Sequence, residues 1–292
     1  RSRMINNLNV QSIDYFSKNG FKNNLNYYLK NTISAGKNNN EYDSSPQIKF
    51  MNIFEVVSSF PLIKKSESFI NYLNPKLSLR MNPSEMKDNS NQNRQINTEN
   101  MFNINRLGLN DTLESGENLT LGLDYKKEKI DNINKYFELS LGKVIRTKSN
   151  DNIPSNSTLD KKNSNYFGKI TNNLNKNISL NYEFSVNHDL DEIQYNSLST
   201  TITKNNLVTT FNYIEEDGDI GSTNIFENVT TFNFDEQNFI TFRTRENREI
   251  DLTEYYDLIY EYKNDCLVAG IKYNKTYYKD RDLQPTEDFM FS

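Results

Sequence analysis

The sequence predicts an all-β fold: an antiparallel up-and-down transmembrane β-barrel of the large outer-membrane type, present as an incomplete fragment. The first observation is a period of two residues, in which Ile178, Leu180 and Tyr182 alternate with Ser179 and Asn181. Such alternation is typical of a strand with one apolar and one polar face. The second is the length of the alternating segments, about 10–13 residues. That length is near the ~9–11 residues that a tilted strand needs to cross a bilayer.

Composition is the third observation. Only 35% of the 292 residues are hydrophobic, yet the chain has 18 Tyr and 18 Phe, many of them within its alternating segments. A barrel reconciles these facts because it needs one apolar side per strand, while its lumen and loops are polar. The sequence has no run of about 18 apolar residues that would predict a transmembrane helix. The net charge of −5 gives no reason to expect nucleic acid as a partner.

Strand candidates follow one another along the chain in the up-and-down order of outer-membrane barrels. A last strand begins near residue 287, and the chain opens at Arg1, so we expect an internal fragment of a larger protein. We do not expect it to fold alone, because an open barrel segment exposes two unpaired edges. The other fifteen candidates cover residues 5–16, 24–35, 48–60, 69–81, 100–109, 117–127, 135–147, 164–173, 176–187, 193–204, 206–215, 224–235, 238–249, 252–263 and 266–277.

Short and long connections are predicted to alternate, with the short turns on the periplasmic side. Asn and Asp tolerate the positive φ that tight hairpins need. The predicted short turns are Asn172–Asn173, Asn205–Asn206, Glu236–Gln237 and Lys263–Asp265. The longer connections cover residues 36–47, 82–99, 148–163, 188–192 and 216–223. Segment 82–99 is polar and rich in Asn, which favours an exposed extracellular loop; the alternative is a plug or a loop that grips a ligand.

Charged residues on the polar phase of the strands are predicted to face the lumen, because Arg facing lipid at mid-membrane depth costs roughly 2–4 kcal/mol. They form either a generic wet interior with internal ion pairs or a lumen that carries a phosphorylated or sugar-bearing ligand. Arg suits the second role because it binds phosphate through two donors. The candidates for ligand contact are Arg80, Arg106, Arg146, Glu183, Arg243, Arg245 and Glu261, with Glu138 on the same phase.

Cys266 and His188 are the only cysteine and histidine. Cys266 is either a lone buried thiol or a residue at the lumen mouth that pairs with a cysteine outside this chain, since the periplasm is oxidising. The surroundings of His188 predict a hairpin turn, with a hydrolase site as the alternative. The acidic residues after it could hold Ca²⁺, but their spacing fits no loop motif and favours a solvated turn. We therefore predict no catalytic residue, no metal site and no cofactor.

Three stretches together resemble the lipopolysaccharide-assembly outer-membrane proteins of the LptD (OstA) family. The first is a Tyr-Leu-Asn-Pro strand that ends at Arg80, and the third is an Asp-Cys pair before the last strands. The second, which is the most specific, runs from Met101 to Tyr125. This chain departs from the family at Thr112 and Lys143, and it has one cysteine where some members have two. The matching residues are Tyr72, Pro75, Arg80, Asn105, Arg106, Gly108, Asp111, Glu114, Gly116, Gly122, Gly142, Asp265 and Cys266.

The resemblance implies a non-enzymatic translocon of the Gram-negative cell outer membrane. Residues 1–292 would be the C-terminal part of its barrel domain, without the N-terminal periplasmic jelly-roll and the first strands. Lipopolysaccharide would arrive over a periplasmic bridge protein of the LptA type, and an LptE-type lipoprotein would plug the lumen. Cys266 matches the family's C-terminal cysteine, which would bond to a cysteine of the N-terminal domain. The alternatives are a passive porin or receptor barrel and an outer-membrane lipid hydrolase built around His188.

Overall fold

A computed structural model describes residues 2–37, 44–277 and 285–291. It assigns seventeen strands to one sheet. The strands are β1 (Ser2–Gln11), β2 (Tyr15–Phe16), β3 (Lys22–Ala35), β4 (Gln47–Ser59), β5 (Leu62–Lys65), β6 (Phe69–Asn82), β7 (Gly116–Lys129), β8 (Tyr136–Arg146), β9 (Asn163–Asn175), β10 (Ile178–Val186), β11 (Ile193–Lys204), β12 (Leu207–Glu216), β13 (Asn224–Asn233), β14 (Asn238–Asn247), β15 (Leu252–Lys263), β16 (Val268–Thr276) and β17 (Thr286–Phe291).

The described part of the chain is almost entirely strand and connection. Its single helical element is a 3₁₀ turn at Ser155–Ser157. No helix among the described residues is both long enough and apolar enough to pass through a membrane.

Successive strands pair in antiparallel fashion, which confirms the predicted up-and-down order. The registers from β11 to β17 run without a crossover, and each strand pairs with the next along the chain. Fourteen of the fifteen predicted segments coincide with observed strands, and the segment predicted near residue 287 is β17. The predicted turn at Asn205–Asn206 is confirmed, with Asn205 at φ 51°.

Two local irregularities explain why seventeen strands arise from fewer alternating segments. Pro61 separates β4 from β5 because proline has no N–H for the ladder, yet both strands pair with β6 in one continuous register. Between β1 and β2 the register against β3 shifts by one residue, as in a β-bulge. Each pair therefore represents one long alternating segment in the sequence.

Two predictions of local structure are wrong. Residues 100–109 form turns rather than a strand and belong to the connection between β6 and β7. The turn predicted at Asn172–Asn173 lies instead at 176–177, because β9 continues to Asn175. Both errors come from composition: an Asn-rich stretch offers several equivalent turn positions, and an apolar period of two does not by itself supply a pairing partner.

Compact unit 1 comprises residues 1–126, 139–168 and 185–192. Its strands expose their apolar phase and bury their polar phase. In β4, for example, Phe54 is 52% exposed whereas Glu55 is 3% exposed. A soluble protein shows the opposite arrangement, but a wall that faces lipid on one side and a polar interior on the other requires this one.

Compact unit 2 comprises residues 127–138, 169–184 and 193–292. Its strands show the same inversion, since Leu258 of β15 is 43% exposed and the neighbouring Asp257 is 6% exposed. We call the buried polar phase of the strands the inner phase and the exposed apolar phase the outer phase. The inner phase carries polar side chains that form hydrogen bonds between neighbouring strands. Ser199 donates to Asn212 at 2.8 Å, and Asn212 donates to Glu227 at 3.1 Å.

The connection 83–115 between β6 and β7 is the main departure from the predicted fold. Segment 82–99 was expected to be an exposed loop, but Met86 and Ile96 are buried in the apolar core of unit 1. Residues from the connection 147–162 complete this core, and Asn89 donates its backbone N–H to the carbonyl of Asn152 at 2.9 Å. The core residues are Met86, Ile96, Met101, Leu107, Leu109, Val144, Ile153, Leu159 and Phe167, with Phe102 packed against them. We call residues 83–115 the inner loop.

Two glycines on the inner phase of adjacent strands make room for this inner loop. A Cβ at Gly122 of β7 would stand 2.6 Å from the ring of Phe102, and one at Gly142 of β8 would overlap the sulfur of Met101. Any larger residue at these positions would therefore displace the inner loop. The close approach gives a physical reason for glycine at these two positions, which are among the residues that resemble the family.

Candidate functional site

The densest group of charges in unit 1 is centred on Glu114, near the end of the inner loop. Arg106 approaches its carboxylate through two donors, Nε at 2.7 Å and Nη2 at 2.5 Å. Both side chains are buried. This two-point geometry matches the planar fork of a guanidinium to both oxygens of a carboxylate, which makes it one of the stronger kinds of ion pair.

Two arginines from the strands bind the same carboxylate. Arg146 of β8 donates from Nη1 to Glu114 at 2.5 Å, and Arg80 of β6 lies 3.4 Å from it. Arg80 also pairs with Glu55 of β4 at 3.2 Å. The inner loop is thus tied by charge to β6 and β8, and Glu55 of β4 joins through Arg80. These five side chains form the cluster that we call the buried charge cluster.

The remaining hydrogen-bonding groups of the buried charge cluster are satisfied mainly by inner-phase neighbours. Thr120 accepts from Arg106 at 3.0 Å, and Ser78 donates to Glu55 at 2.7 Å. The backbone carbonyls of Asn103 and Ser115 accept from Arg80 and Arg146. Such bonds are required because a buried charge without partners is costly.

The charge balance of the cluster keeps Glu114 ionised. Burial opposes its negative charge, but the guanidinium groups of Arg106, Arg80 and Arg146 outweigh that effect and lower the pKa of the Glu114 carboxyl to about 2. Three guanidinium groups then face two carboxylates, Glu114 and Glu55. Among the described residues, the Nε of Arg80 has no hydrogen-bond partner.

The family-like block around Arg106 is explained by this geometry. Gly116 adopts φ 90°, and a Cβ there would stand 3.0 Å from the guanidinium of Arg146. Gly108 adopts φ 58° and donates its N–H to the carbonyl of Asn105 at 3.0 Å. Asp111 pairs with Arg3 of β1 at 2.6 Å. Each of these residues shapes the inner loop or fastens it to the wall.

The first family-like stretch, in β6, lies within the wall. The carbonyl of Pro75 accepts the N–H of Phe60 at 3.0 Å, which keeps the register continuous past Pro61. Tyr72 pairs in register with Ile63 of β5. Lys76, four residues further along the inner phase, reaches Asp124 at 2.5 Å and lies over the ring of Phe102. This stretch therefore supports the inner loop as well.

The structure separates the predicted ligand-contact residues into two groups. Arg80, Arg106 and Arg146 come together in the buried charge cluster, where carboxylates hold them. The residues in unit 2 are more accessible: Arg243 is exposed and Glu261 is half-buried. Arg245 and Glu183 form ion pairs with Glu254 and Lys169 at 2.8 Å. Ligand contact stays a prediction for all seven, and Glu138 is half-buried on β8.

Asp265 and Cys266 lie in the turn between β15 and β16. Asn264 stabilises this turn, accepting the backbone N–H of Cys266 at 2.9 Å. Cys266 is an exposed free thiol, so it is not the buried residue that was one alternative. A disulfide with another segment stays a prediction.

His188 lies in the connection between β10 and β11, as its surroundings predicted. It is exposed and stands 3.3 Å from Asp189. Leu190 in the same turn adopts φ 64°, and Asn187 bonds to Asp191 across it. Within residues 2–37, 44–277 and 285–291, no group of three or more His, Cys, Asp or Glu is placed to hold a metal ion.

Sequence reasoning missed Lys30 as a partner of the inner loop and Glu55 as a partner of Arg80. Lys30 of β3 is buried and donates to the carbonyls of Leu109 and Asn110 at 2.6 and 3.0 Å. Both residues fall on the inner phase of apolar-rich strands, where a charge needs a partner. A charged residue on the inner phase of such a strand indicates that a partner exists. The sequence does not reveal which distant segment supplies that partner.

The strands have an apolar outer phase and a polar, charge-bearing inner phase. This arrangement places the chain in the class of transmembrane β-barrel proteins. The family model for LptD, described as LPS transport system D, matches residues 7–247. The match covers most of the chain, which therefore belongs to the LptD family of lipopolysaccharide transport components. No curated protein matches the chain significantly.

Proposed function

We propose that this chain is part of an outer-membrane translocon that inserts lipopolysaccharide into the outer leaflet of the cell surface. The family match over residues 7–247 carries the proposal. The inverted strands support it, because a wall that exposes Phe54 and Leu258 needs an apolar surrounding such as a bilayer. The family is one of transport components, and we expect no catalytic step in the chain itself.

The inner phase of unit 2 supports the passage of a sugar-bearing molecule. Besides the Ser199–Asn212–Glu227 series, Thr231 and Thr241 bond across β13 and β14 at 3.0 Å. Tyr255 donates its hydroxyl to Glu227 at 3.1 Å. Hydroxyl, amide and carboxylate groups of this kind exchange hydrogen bonds with sugars and water, whereas the outer phase offers mainly apolar side chains.

The partners follow from the same proposal. An LptE-type lipoprotein would occupy the lumen, and an LptA-type bridge protein would deliver lipopolysaccharide from the periplasm. Residues 1–292 would form the C-terminal part of the barrel domain. The exposed thiol of Cys266 supports a disulfide with a cysteine elsewhere in the full protein, because it is accessible for exchange.

Site-specific photo-crosslinking in the native membrane tests the proposal. A photo-reactive amino acid is placed in the full-length protein at Arg243 or Glu261, on the inner phase, and at Tyr260, on the outer phase. We expect lipopolysaccharide adducts at the two inner positions while transport is active, and none there after the energy supply is removed. Tyr260 is the matched control, because it neighbours Glu261 on β15 and points to the other face.

The passive-channel alternative makes a different prediction for the same variants. If adducts at Arg243 and Glu261 were absent while small solutes crossed reconstituted membranes, the protein would be a porin and the translocon proposal would be wrong.

A further inference from the structure

The inner loop covers inner-phase side chains of unit 1, whereas unit 2 leaves some of its own exposed. Asn118 and Thr120 of β7 form hydrogen bonds to the inner loop through Glu114 and Arg106 and are buried. In unit 2, Arg243 on the inner phase of β14 is exposed. A molecule would have to displace the inner loop to reach these residues of β7, but it can reach Arg243 in the structure as it stands.

Arg243 also differs from the other four arginines that the sequence predicts as ligand contacts. The three in unit 1 are held by the carboxylates of the buried charge cluster, and Arg245 is paired with Glu254 at 2.8 Å. In the part of the chain that the structure describes, the guanidinium of Arg243 forms no hydrogen bond and no ion pair. Its five N–H donors are therefore available to a ligand.

The carboxylates nearest to Arg243 in the strand register have other partners. Asp257 lies opposite Arg243 on β15, but its carboxylate is paired with Lys272 at 3.0 Å and accepts a hydrogen bond from Asn274. Glu227, which lies one residue pair further from the turn on β13 and β14, accepts hydrogen bonds from an amide and from a tyrosine hydroxyl. Arg243 therefore stands in a polar surface whose nearby anions are already engaged.

We propose that Arg243 binds a phosphate group of lipopolysaccharide while the sugar portion passes along the inner phase of β13, β14 and β15. The planar fork of a guanidinium binds two phosphate oxygens at once, and the phosphate brings the counter-charge that Arg243 lacks. The hydroxyl groups of Thr231 and Thr241, which lie on the same phase, offer hydrogen bonds to the sugar. This inference rests on the proposed function and assigns the anion contact to one of its candidate residues.

The test uses a photo-reactive residue at Val229 in the full-length protein, in its own membrane and during active transport. Val229 lies opposite Arg243 on β13 and is half-buried, so it reports on a molecule bound there without replacing the guanidinium. Lipopolysaccharide adducts are quantified with antibodies in the parent protein, in Arg243→Gln and in Arg243→Lys. The matched control is Arg248→Gln, which removes an exposed arginine in the connection after β14.

We expect Arg243→Gln to lower the adduct yield at Val229 about three- to tenfold, less than the loss of a buried charged hydrogen bond, because Arg243 is exposed. Arg243→Lys should restore part of the yield, since lysine keeps the charge but not the planar fork. Arg248→Gln should leave the yield unchanged. Equal yields in the parent protein and Arg243→Gln, or an equal loss in Arg248→Gln, would overturn the assignment.

A second measurement distinguishes phosphate from a carboxylate on the sugar. The purified full-length protein with the photo-reactive residue at Val229 is irradiated in detergent with purified lipopolysaccharide, before and after chemical removal of its phosphate groups. We expect dephosphorylated lipopolysaccharide to give the low yield of Arg243→Gln in both proteins. An undiminished yield in the parent protein would overturn the phosphate contact. This comparison needs no substitution at Arg243, so it decides the question even if Arg243→Gln does not assemble.

Adducts at Glu261 separate this inference from the proposed function, because that variant leaves Arg243 in place and reports on passage alone. Lipopolysaccharide at Glu261, together with equal yields at Val229 in the parent protein and Arg243→Gln, would refute the role of Arg243 alone. Absence of lipopolysaccharide from both Glu261 and Val229 would refute both proposals.

Discussion

Arg106 and Glu114 stand eight residues apart in the inner loop and face each other through two hydrogen bonds of 2.7 and 2.5 Å. The same carboxylate receives Arg146 from β8 and, at longer range, Arg80 from β6. The carboxylate of Glu114 in the inner loop thereby forms ion pairs with basic side chains of two strands.

Glu114→Gln should destabilise the protein more than any single change on the outer surface. The variant leaves three guanidinium groups buried with Glu55 as the remaining carboxylate, and breaking a buried ion pair on one side costs about 3–5 kcal/mol. Thermal unfolding of the purified full-length protein in detergent, followed by circular dichroism, measures the effect. The matched control is Glu117→Gln, three residues away and exposed, which should change the unfolding free energy by less than about 0.5 kcal/mol. Equal shifts in the two variants would contradict a central role for Glu114.

Acid should weaken the folded state in a defined pH range. Because the pKa of Glu114 is lowered from 4.5 to about 2 in the folded protein, its contribution is complete above about pH 4.5. It is lost as pH falls towards 2, and the loss amounts to about 3 kcal/mol. Unfolding midpoints recorded between pH 6 and pH 2 measure it. Glu114→Gln should show a flatter pH dependence, and an unchanged slope in that variant would assign the acid sensitivity to other groups.

Gly122→Val should expel part of the inner loop, because the new side chain would occupy the position of the Phe102 ring. Overpacking of this kind costs about 1–3 kcal/mol. We expect trypsin to cleave the inner loop at Lys87 or Arg94 faster than in the parent protein. Leu121→Val, on the outer phase of the same strand, is the control and should leave the cleavage rate unchanged. Protection equal to that of the parent protein would show that the loop tolerates the extra volume.

Lys30→Met should loosen the other end of the inner loop. The substitution keeps the length and apolar stem of the side chain, but it leaves the carbonyls of Leu109 and Asn110 without their donor. An unsatisfied buried polar group costs about 1–3 kcal/mol. Hydrogen exchange of residues 105–112 should accelerate, while that of β15 should stay constant. Uniform acceleration would indicate a global effect instead.

Cys266→Ser in the full-length protein tests the disulfide. If Cys266 pairs with a cysteine elsewhere in the protein, the parent protein and the variant will differ in mobility on a non-reducing gel and coincide after reduction. Cell-surface integrity should decline in the variant, since disulfide loss commonly costs about 2–5 kcal/mol. Identical mobility without reductant would remove the disulfide from the proposal.

Alternation predicts the wall well because the side-chain period of a strand is a local property. Leu258 and Asp257 need only their own strand to define which face each occupies. The same locality explains why the predicted bounds of β11 to β16 agree with the observed ones to within two residues, since each strand pairs with its neighbour in sequence.

The inner loop could not be predicted in this way. Met86 and Ile96 are isolated apolar residues in a polar, Asn-rich stretch, and they are buried only because residues 147–162 and β8 cover them. Arg106 was identified as a family feature, but Arg80 and Arg146, which bind the same Glu114 carboxylate, come from strands that are distant in sequence. Contacts between such distant segments produce no periodic pattern in the sequence.

The inner loop also determines the order in which unit 1 can be completed. Its core includes Ile153 and Leu159, which are synthesised after β8, and Glu114 gains Arg146 only when that strand is present. The hairpins of unit 1 therefore cannot reach their final stability one at a time. Contacts of long sequence separation slow folding, and the core around the inner loop is complete only when residues 147–162 are in place.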